Sequence, residues 1–514
     1  MDNWHIELAL TFHEETKHSY ESLSRDRHFL DWANQPHPFK RYLGLETIPL
    51  PADLPVTQMP ALLALSPPGE TAVAAPMPTL HDLAYVLFYA AGVTKRRFYP
   101  GYGEMLFRAA ACTGALYHID LYLSVGDVPG LQAGLYHFDP RDFALRQLRQ
   151  GDYRRVLVEA SGDDPELRAA PVIIIGSDTF WRNSWKYRAR AYRHSFWDSG
   201  TILANLLAAA RARTLPAHLT LGFADAPVNA LLDVDANREV ALFLVGLGTG
   251  AALPPAAPPV EPLHLEVAPL SPEELDYPAI RIMHAASSLE SPEDAAEWRG
   301  TAPEAPLPPV TGEIFPLCPD TAASLPSAAL EDVIRHRGST RRFAHRPLSL
   351  AQLSNVLVLA TQPIPADCLA SSERRVNDLY LIVNAVEGLP PGAYIFHPQP
   401  QALELLRAGD FRQEAGELAL GQELAADASV AVFCLCEMLA LLERFGNRGY
   451  RAAQLEGGIL GGRMYLAAYA QGFGATGLTF FDDDVTAFFS PHAADKSVMF
   501  LIAMGYAARL KAEG

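Results

Sequence analysis

The chain has 514 residues, 49% of them apolar, and a formal net charge of −18. The length calls for more than one large domain, each with a full core. The acidic balance argues against a partner recognised through its phosphate backbone or an anionic membrane surface, so neither nucleic acid nor membrane is an expected partner. Five cysteines, odd in number and without C-x-x-C spacing, argue against a disulfide framework and a structural zinc site. The 16 histidines are scattered, and no metal is assigned. The first residues lack a basic stretch ahead of an apolar one, and no apolar run approaches the roughly 18 to 20 residues of a membrane helix. The sequence therefore predicts a cytoplasmic protein.

Residues 1–77 are rich in turn signals, as in "QPHPFKRYLGLETIPLP", and predict an extended arm lying over a surface. Residues 78–250 predict a compact unit: a helix in "TLHDLAYVLFYAAGV", a strand in "HIDLYLSV", a hairpin in "GLYHFDPRDFALRQL", a buried strand in "APVIIIGSD", a long helix in "RHSFWDSGTILANLLAAARAR" and a closing strand in "VALFLVGLG". Residues 251–327 turn Pro- and Ala-rich and predict a linker. Residues 328–514 then repeat the order of the first unit. In "VAVFCLCE" the alternation puts Cys434 and Cys436 on one face of a strand, as buried and inert thiols. Gly457, Gly458, Gly461 and Gly462 would weaken a solvated helix, so close approach of another helix or a ligand is expected there.

The repeat is explicit. Asp120 to Arg154 aligns without a gap on Asp378 to Arg412, with 19 identities in 35 positions, and the offset of 258 residues persists to pair Tyr192 with Tyr450 and Gly200 with Gly458. Such a period is too long for a solenoid and means a duplicated domain. The expected fold is α+β, two tandem domains forming an intramolecular pseudo-dimer.

"RHRGSTRRF" sets Arg337, Ser339 and Arg341 at alternate positions, where two guanidinium groups and a hydroxyl can converge on a phosphate. Ahead of an α+β unit this segment resembles the flavin-phosphate motif of the nitroreductase-like FMN enzymes, with Arg509 and Lys511 in "GYAARLK" as the C-terminal basic group. "RAAACTGALYHIDLYL", "GLQAGLYHFDP" with "LRQGDYR", and "NSWKYRARAYRHSFWDSG" resemble the motif set of the SagB/ThcOx type, azoline dehydrogenases that form thiazoles and oxazoles in ribosomally made peptides. The first half keeps Lys186 and Tyr187, matching the family's catalytic Lys-Tyr pair, but has no phosphate motif. The second half has the phosphate motif but Arg444 and Phe445 in place of the pair.

The resemblance implies one composite FMN site. Arg337, Ser339, Arg341, Arg509 and Lys511 would hold the phosphate, Gly477 would face the flavin edge, and Cys112, Thr113 and Gly114 would border the ring. Lys186 and Tyr187 would meet the substrate, and the pseudo-equivalent second site would be empty. Cys112 stands where the family has serine, and a thiol is a poorer hydrogen-bond partner. The implied partners are a precursor peptide and a cyclodehydratase complex. The alternatives are a NAD(P)H-dependent nitro or quinone reductase and a flavin-free scaffold for a peptide or synthetase.

Overall fold

Duplication in the sequence becomes duplication in space. The computed structural model describes residues 2–25, 28–66, 77–101, 103–300, 309–369 and 375–508. The first sheet runs Thr47–Pro49, Ala144–Gln150, Gly134–Asp139, Ile119–Val125, Val172–Thr179, Glu239–Leu247, Ala217–Thr220. The second has the same order: Glu313–Pro316, Ala402–Ala408, Gly392–His397, Asp378–Val383, Val430–Cys436, Ser497–Gly505, Gly474–Leu478. Neighbouring strands are antiparallel throughout. The inner strands are covered on both faces, which is why they read as continuous apolar runs rather than alternating ones. Cys434 and Cys436 are both buried, and burial pushes their thiols up.

Two long helices, Ala191–Ala212 and Arg448–Ala470, pack against each other at the centre. Small residues make the approach possible: a methyl group on Gly200 would stand 2.5 Å from the carbonyl carbon of Gly458, and one on Gly458 would stand 2.5 Å from the carbonyl oxygen of Trp197. The glycine pairs divide their work. Gly458 and Gly462 face the partner helix, whereas Gly457 and Gly461 admit Phe500 of the sheet behind.

Buried ion pairs cross between the halves with the same symmetry. Arg190 and Arg193 hold Asp482 at 3.0 and 2.6 Å, and their counterparts Arg448 and Arg451 each hold Asp225 at 2.7 Å. Burial alone would favour the neutral acids, but the arginine pairs hold both carboxyls well below the usual range.

The two segments outside the repeats are more structured than their turn-rich composition suggests. Within residues 1–77, helix Glu7–Glu15 places Phe12 between Tyr192 and Tyr450, 5.6 and 6.1 Å from their ring centroids, and Thr47–Pro49 forms an edge of the first sheet. Within residues 251–327, helices Pro278–Ala286 and Pro292–Gly300 pack on the halves, and Glu313–Pro316 is the matching edge of the second sheet. Local composition missed these elements because each is stabilised by a distant partner. Among the described residues no helix is long and apolar enough to cross a membrane.

Candidate active site

In the first half, the loop after strand Gly103–Arg108 carries three residues with left-handed backbone: Gly114 (φ 66°), Ala115 (φ 55°) and Tyr117 (φ 49°). Two of them are not glycine, so surrounding contacts must hold the loop in this form. Asp198, on the central helix, supplies them. Its carboxylate accepts from the amide of Thr113 (2.9 Å), the hydroxyl of Thr113 (2.9 Å) and the thiol of Cys112 (3.0 Å). The hydroxyl of Thr201 donates to the carbonyl of Ala111 (2.6 Å).

Behind Asp198 lies His118, fully buried, with Nε2 2.9 Å from Asp198 and Nδ1 2.7 Å from Asp178. Desolvation opposes its charge, but Asp178 and Asp198 override it and raise its pKa to about 9. Cys112, His118 and Asp198 bring donor atoms within 4.8 Å of one another, and hydrogen bonds through Asp198 link all three. Burial, then the neighbouring Asp198, pushes the Cys112 thiol well up, so it is a protonated donor turned into the loop.

Lys186 and Tyr187 end the helix Phe180–Tyr187, which Trp185 anchors through the carbonyl of Asp31 (3.0 Å) and Trp181 through Ser271 (2.8 Å). The Tyr187 ring stands edge-on to His194, at 4.6 Å, and its hydroxyl lies against Gly114, where a methyl group would be 2.9 Å from it. Burial pushes the phenol far up, and Asp198 and Cys112 add to the shift, so Tyr187 stays protonated at working pH. Half-buried Lys186 has its ammonium disfavoured by desolvation, and its nitrogen lies 5.2 Å from the Tyr187 ring centroid. It makes no ion pair among the described residues.

The second half meets this loop directly. Arg337, at the end of helix Leu330–His336, donates from Nε to the carbonyl of Ala109 (2.9 Å) and from Nη2 to that of Arg108 (3.2 Å). Its guanidinium lies 5.7 Å from the ring centroid of Tyr465, whose hydroxyl is 3.2 Å from Ser339 Oγ and accepts from the amide of Gly477 (2.6 Å). Arg337, Ser339 and Gly477 therefore converge on Tyr465. Arg341 is exposed and makes no hydrogen bond or ion pair among the described residues. Arg509 and Lys511 lie outside the described residues. Two residues beyond Gly477, the buried Thr479 hydroxyl has no partner among them. Cationic side chains beside a hydroxyl, an unsatisfied buried oxygen and a glycine facing a phenol fit a flat, phosphorylated group.

A model of the nitroreductase family matches residues 137–249 and 334–506, more than half of the chain and parts of both halves. The chain belongs to the nitroreductase family. Within this family its motifs resemble those of the SagB/ThcOx type. A crystal structure of an Anabaena variabilis protein described as a nitroreductase matches with TM-score 0.76 and 26% identity, covering 98% of this chain and 99% of that one. A Methanocaldococcus jannaschii protein bearing the nitroreductase name is 25% identical over 170 residues, 33% of this chain and 80% of that one. The trifolitoxin-processing protein TfxB of Rhizobium leguminosarum bv. trifolii is 32% identical over 176 residues, 33% of this chain and 47% of that protein.

This nitroreductase-family chain closes the pseudo-equivalent region on itself. Leu219, the counterpart of Gly477, donates its amide to the carbonyl of Pro365 (2.8 Å), and the Asp367 amide donates back to Leu219 (3.0 Å). Asn3 and Trp298 both donate to the carbonyl of Phe445, the counterpart of Tyr187, at 3.1 and 2.9 Å. His118, Asp178, Asp198 and Tyr465 were missed in the sequence. The signal was there for the first two, because 258 residues on they become Val376 and Cys436, while Asp198 becomes Glu456. Glu456 holds its own loop through the amides of Val376 (3.0 Å) and Asn377 (2.7 Å), and Val376 stands where the first half has His118.

Proposed function

We propose that the chain is an FMN-dependent dehydrogenase with a single composite site, oxidising thiazoline or oxazoline rings to azoles in a ribosomally synthesised peptide. The observation that carries this reading is the grip of Arg337 on the carbonyls of Arg108 and Ala109. It sets the cationic segment of one half against the loop that, in the other half, leads to Gly114 and the Tyr187 hydroxyl. Similarity to a trifolitoxin-processing protein supports a peptide substrate.

Arg337, Ser339 and Arg341 would hold the phosphate of FMN by charge-assisted hydrogen bonds, with Arg509 and Lys511 as further candidates. Bound FMN supplies a two-electron acceptor. Cys112, Thr113 and Gly114 would border the ring through the remaining backbone groups, since the thiol and both the amide and the hydroxyl of Thr113 are spent on Asp198. Gly477, whose amide donates to the Tyr465 hydroxyl, would face the flavin edge. Lys186, with its ammonium destabilised by burial, takes the proton from the ring carbon, and Tyr187 orients the substrate as a hydrogen-bond donor.

The test is flavin stoichiometry, from the absorption spectrum and the FMN released per polypeptide. One FMN per chain is expected. Two would refute the composite site, and none after reconstitution would leave the flavin-free scaffold. With a thiazoline-containing peptide, Lys186→Ala lowers turnover by about 100-fold at unchanged FMN content. The relatives named as nitroreductases favour one rival, a NAD(P)H-dependent reductase of nitro or quinone compounds; steady NADPH oxidation with a nitroarene and no turnover of the azoline peptide would select it.

A further inference from the structure

Between helix Leu80–Ala91 and the candidate site stands a hairpin, Val93–Tyr99 paired with Gly103–Arg108, which forms a two-stranded sheet of its own. Among the described residues neither outer edge pairs with another strand. An isolated hairpin is marginal in water, and an open edge is a template for a further strand. Among the described residues the second half shows no counterpart: after helix Leu350–Ala360 the chain continues through Leu369 without a strand. The hairpin is thus an addition to the half that bears Lys186 and Tyr187.

Its outer part is solvated and unlike the rest of the surface. Phe98 is 75% exposed and Met105 41%, and Lys95, Arg96 and Arg97 stand in succession on a chain of net charge −18. The single acid of the two strands, Glu104, lies 3.7 Å from Arg96, a loose exposed pair. The inner end is fixed. Arg108 donates to the carbonyls of Ile119 (3.2 Å) and Pro38 (2.8 Å), its own carbonyl is held by Arg337, and Cys112 follows four residues later.

Resting on the reading of the chain as a peptide-modifying enzyme, we propose that this hairpin is the docking edge for an acidic, extended segment of the peptide substrate, which adds to it as a third strand. Main-chain hydrogen bonds along the edge supply affinity, the three cations select acidic side chains, and Phe98 and Met105 cover apolar ones. The rigid inner end delivers the following residues to the loop at Cys112–Gly114.

The test titrates the full-length chain with a fluorescein-labelled decapeptide of alternating Glu and Leu, followed by fluorescence polarisation. A Lys/Leu version and a Glu/Leu version N-methylated at alternate residues serve as probes of charge and of main-chain pairing. The Glu/Leu peptide is expected to bind about tenfold more tightly than either, and Arg96→Glu with Arg97→Glu to abolish that preference without changing the FMN content. Equal binding of the three peptides overturns the proposal, as does a double variant that binds like the wild type. So does light scattering that shows a wild-type dimer lost in the variant, which would make the edge a contact between copies. A chain without flavin that still prefers the acidic peptide keeps the docking edge and loses the dehydrogenase; a flavin-loaded chain without that preference loses the docking edge alone.

Discussion

At the scale of single residues, His118 explains how a loop with three left-handed positions is held. A charged imidazole between Asp178 and Asp198 fixes the carboxylate that binds Cys112 and Thr113. Because its pKa is raised in the folded state, the stability it contributes is fully present below the unfolded value near 6.5 and is lost as pH rises through about 9. The contribution is on the order of 3 kcal/mol. Urea midpoints from pH 6 to 9.5 should therefore fall in the wild type and stay nearly level in His118→Asn; parallel curves would show that the imidazole carries no charge. Lys186, Tyr187 and Arg337 stood out in the sequence because their motifs resemble those of a known family, not by residue type alone. His118 did not, because a lone histidine reads equally as core.

At the scale of elements, the two central helices depend on glycine at their crossing. The sequence showed four glycines in a helix and their expected use, but not which neighbour each one meets. Gly458 faces backbone, which cannot yield as a flexible side chain can. Gly458→Val is accordingly expected to destabilise the chain by about 3 kcal/mol, read as a lowered unfolding midpoint, and a variant as stable as the wild type would mean that the helices can separate at little cost. The Gly200–Gly458 contact also relates the halves, since the two residues stand 258 positions apart and meet each other.

At the scale of the whole molecule, Asp225 and Asp482 lock the halves together, each held by an arginine pair from the other half. A carboxyl depressed in the folded state gives stability that is present above the unfolded value near 3.9 and is lost as pH falls towards the folded one. The urea midpoint of the wild type should drop below about pH 4, and Asp225→Asn should flatten that drop. At pH 7 the same variant strands two buried arginines and should lose about 3 to 5 kcal/mol. An unchanged pH slope in the variant would remove this pair as a source of acid lability. Asymmetry between the halves lies elsewhere: the Leu219 amide donates to the carbonyl of Pro365, whereas the Gly477 amide donates to the Tyr465 hydroxyl.

The α+β class and the duplication were determined by the sequence itself, because apolar periodicity and identity at a fixed offset are local properties that survive without coordinates. Tertiary structure decided what depends on juxtaposition. It placed helix Glu7–Glu15 between Tyr192 and Tyr450, completed both sheets with strands from turn-rich segments, and set Arg337 against the carbonyls of Arg108 and Ala109. In each case a short segment is stabilised by partners far away in the sequence, so its own composition carries little of the energy that fixes it.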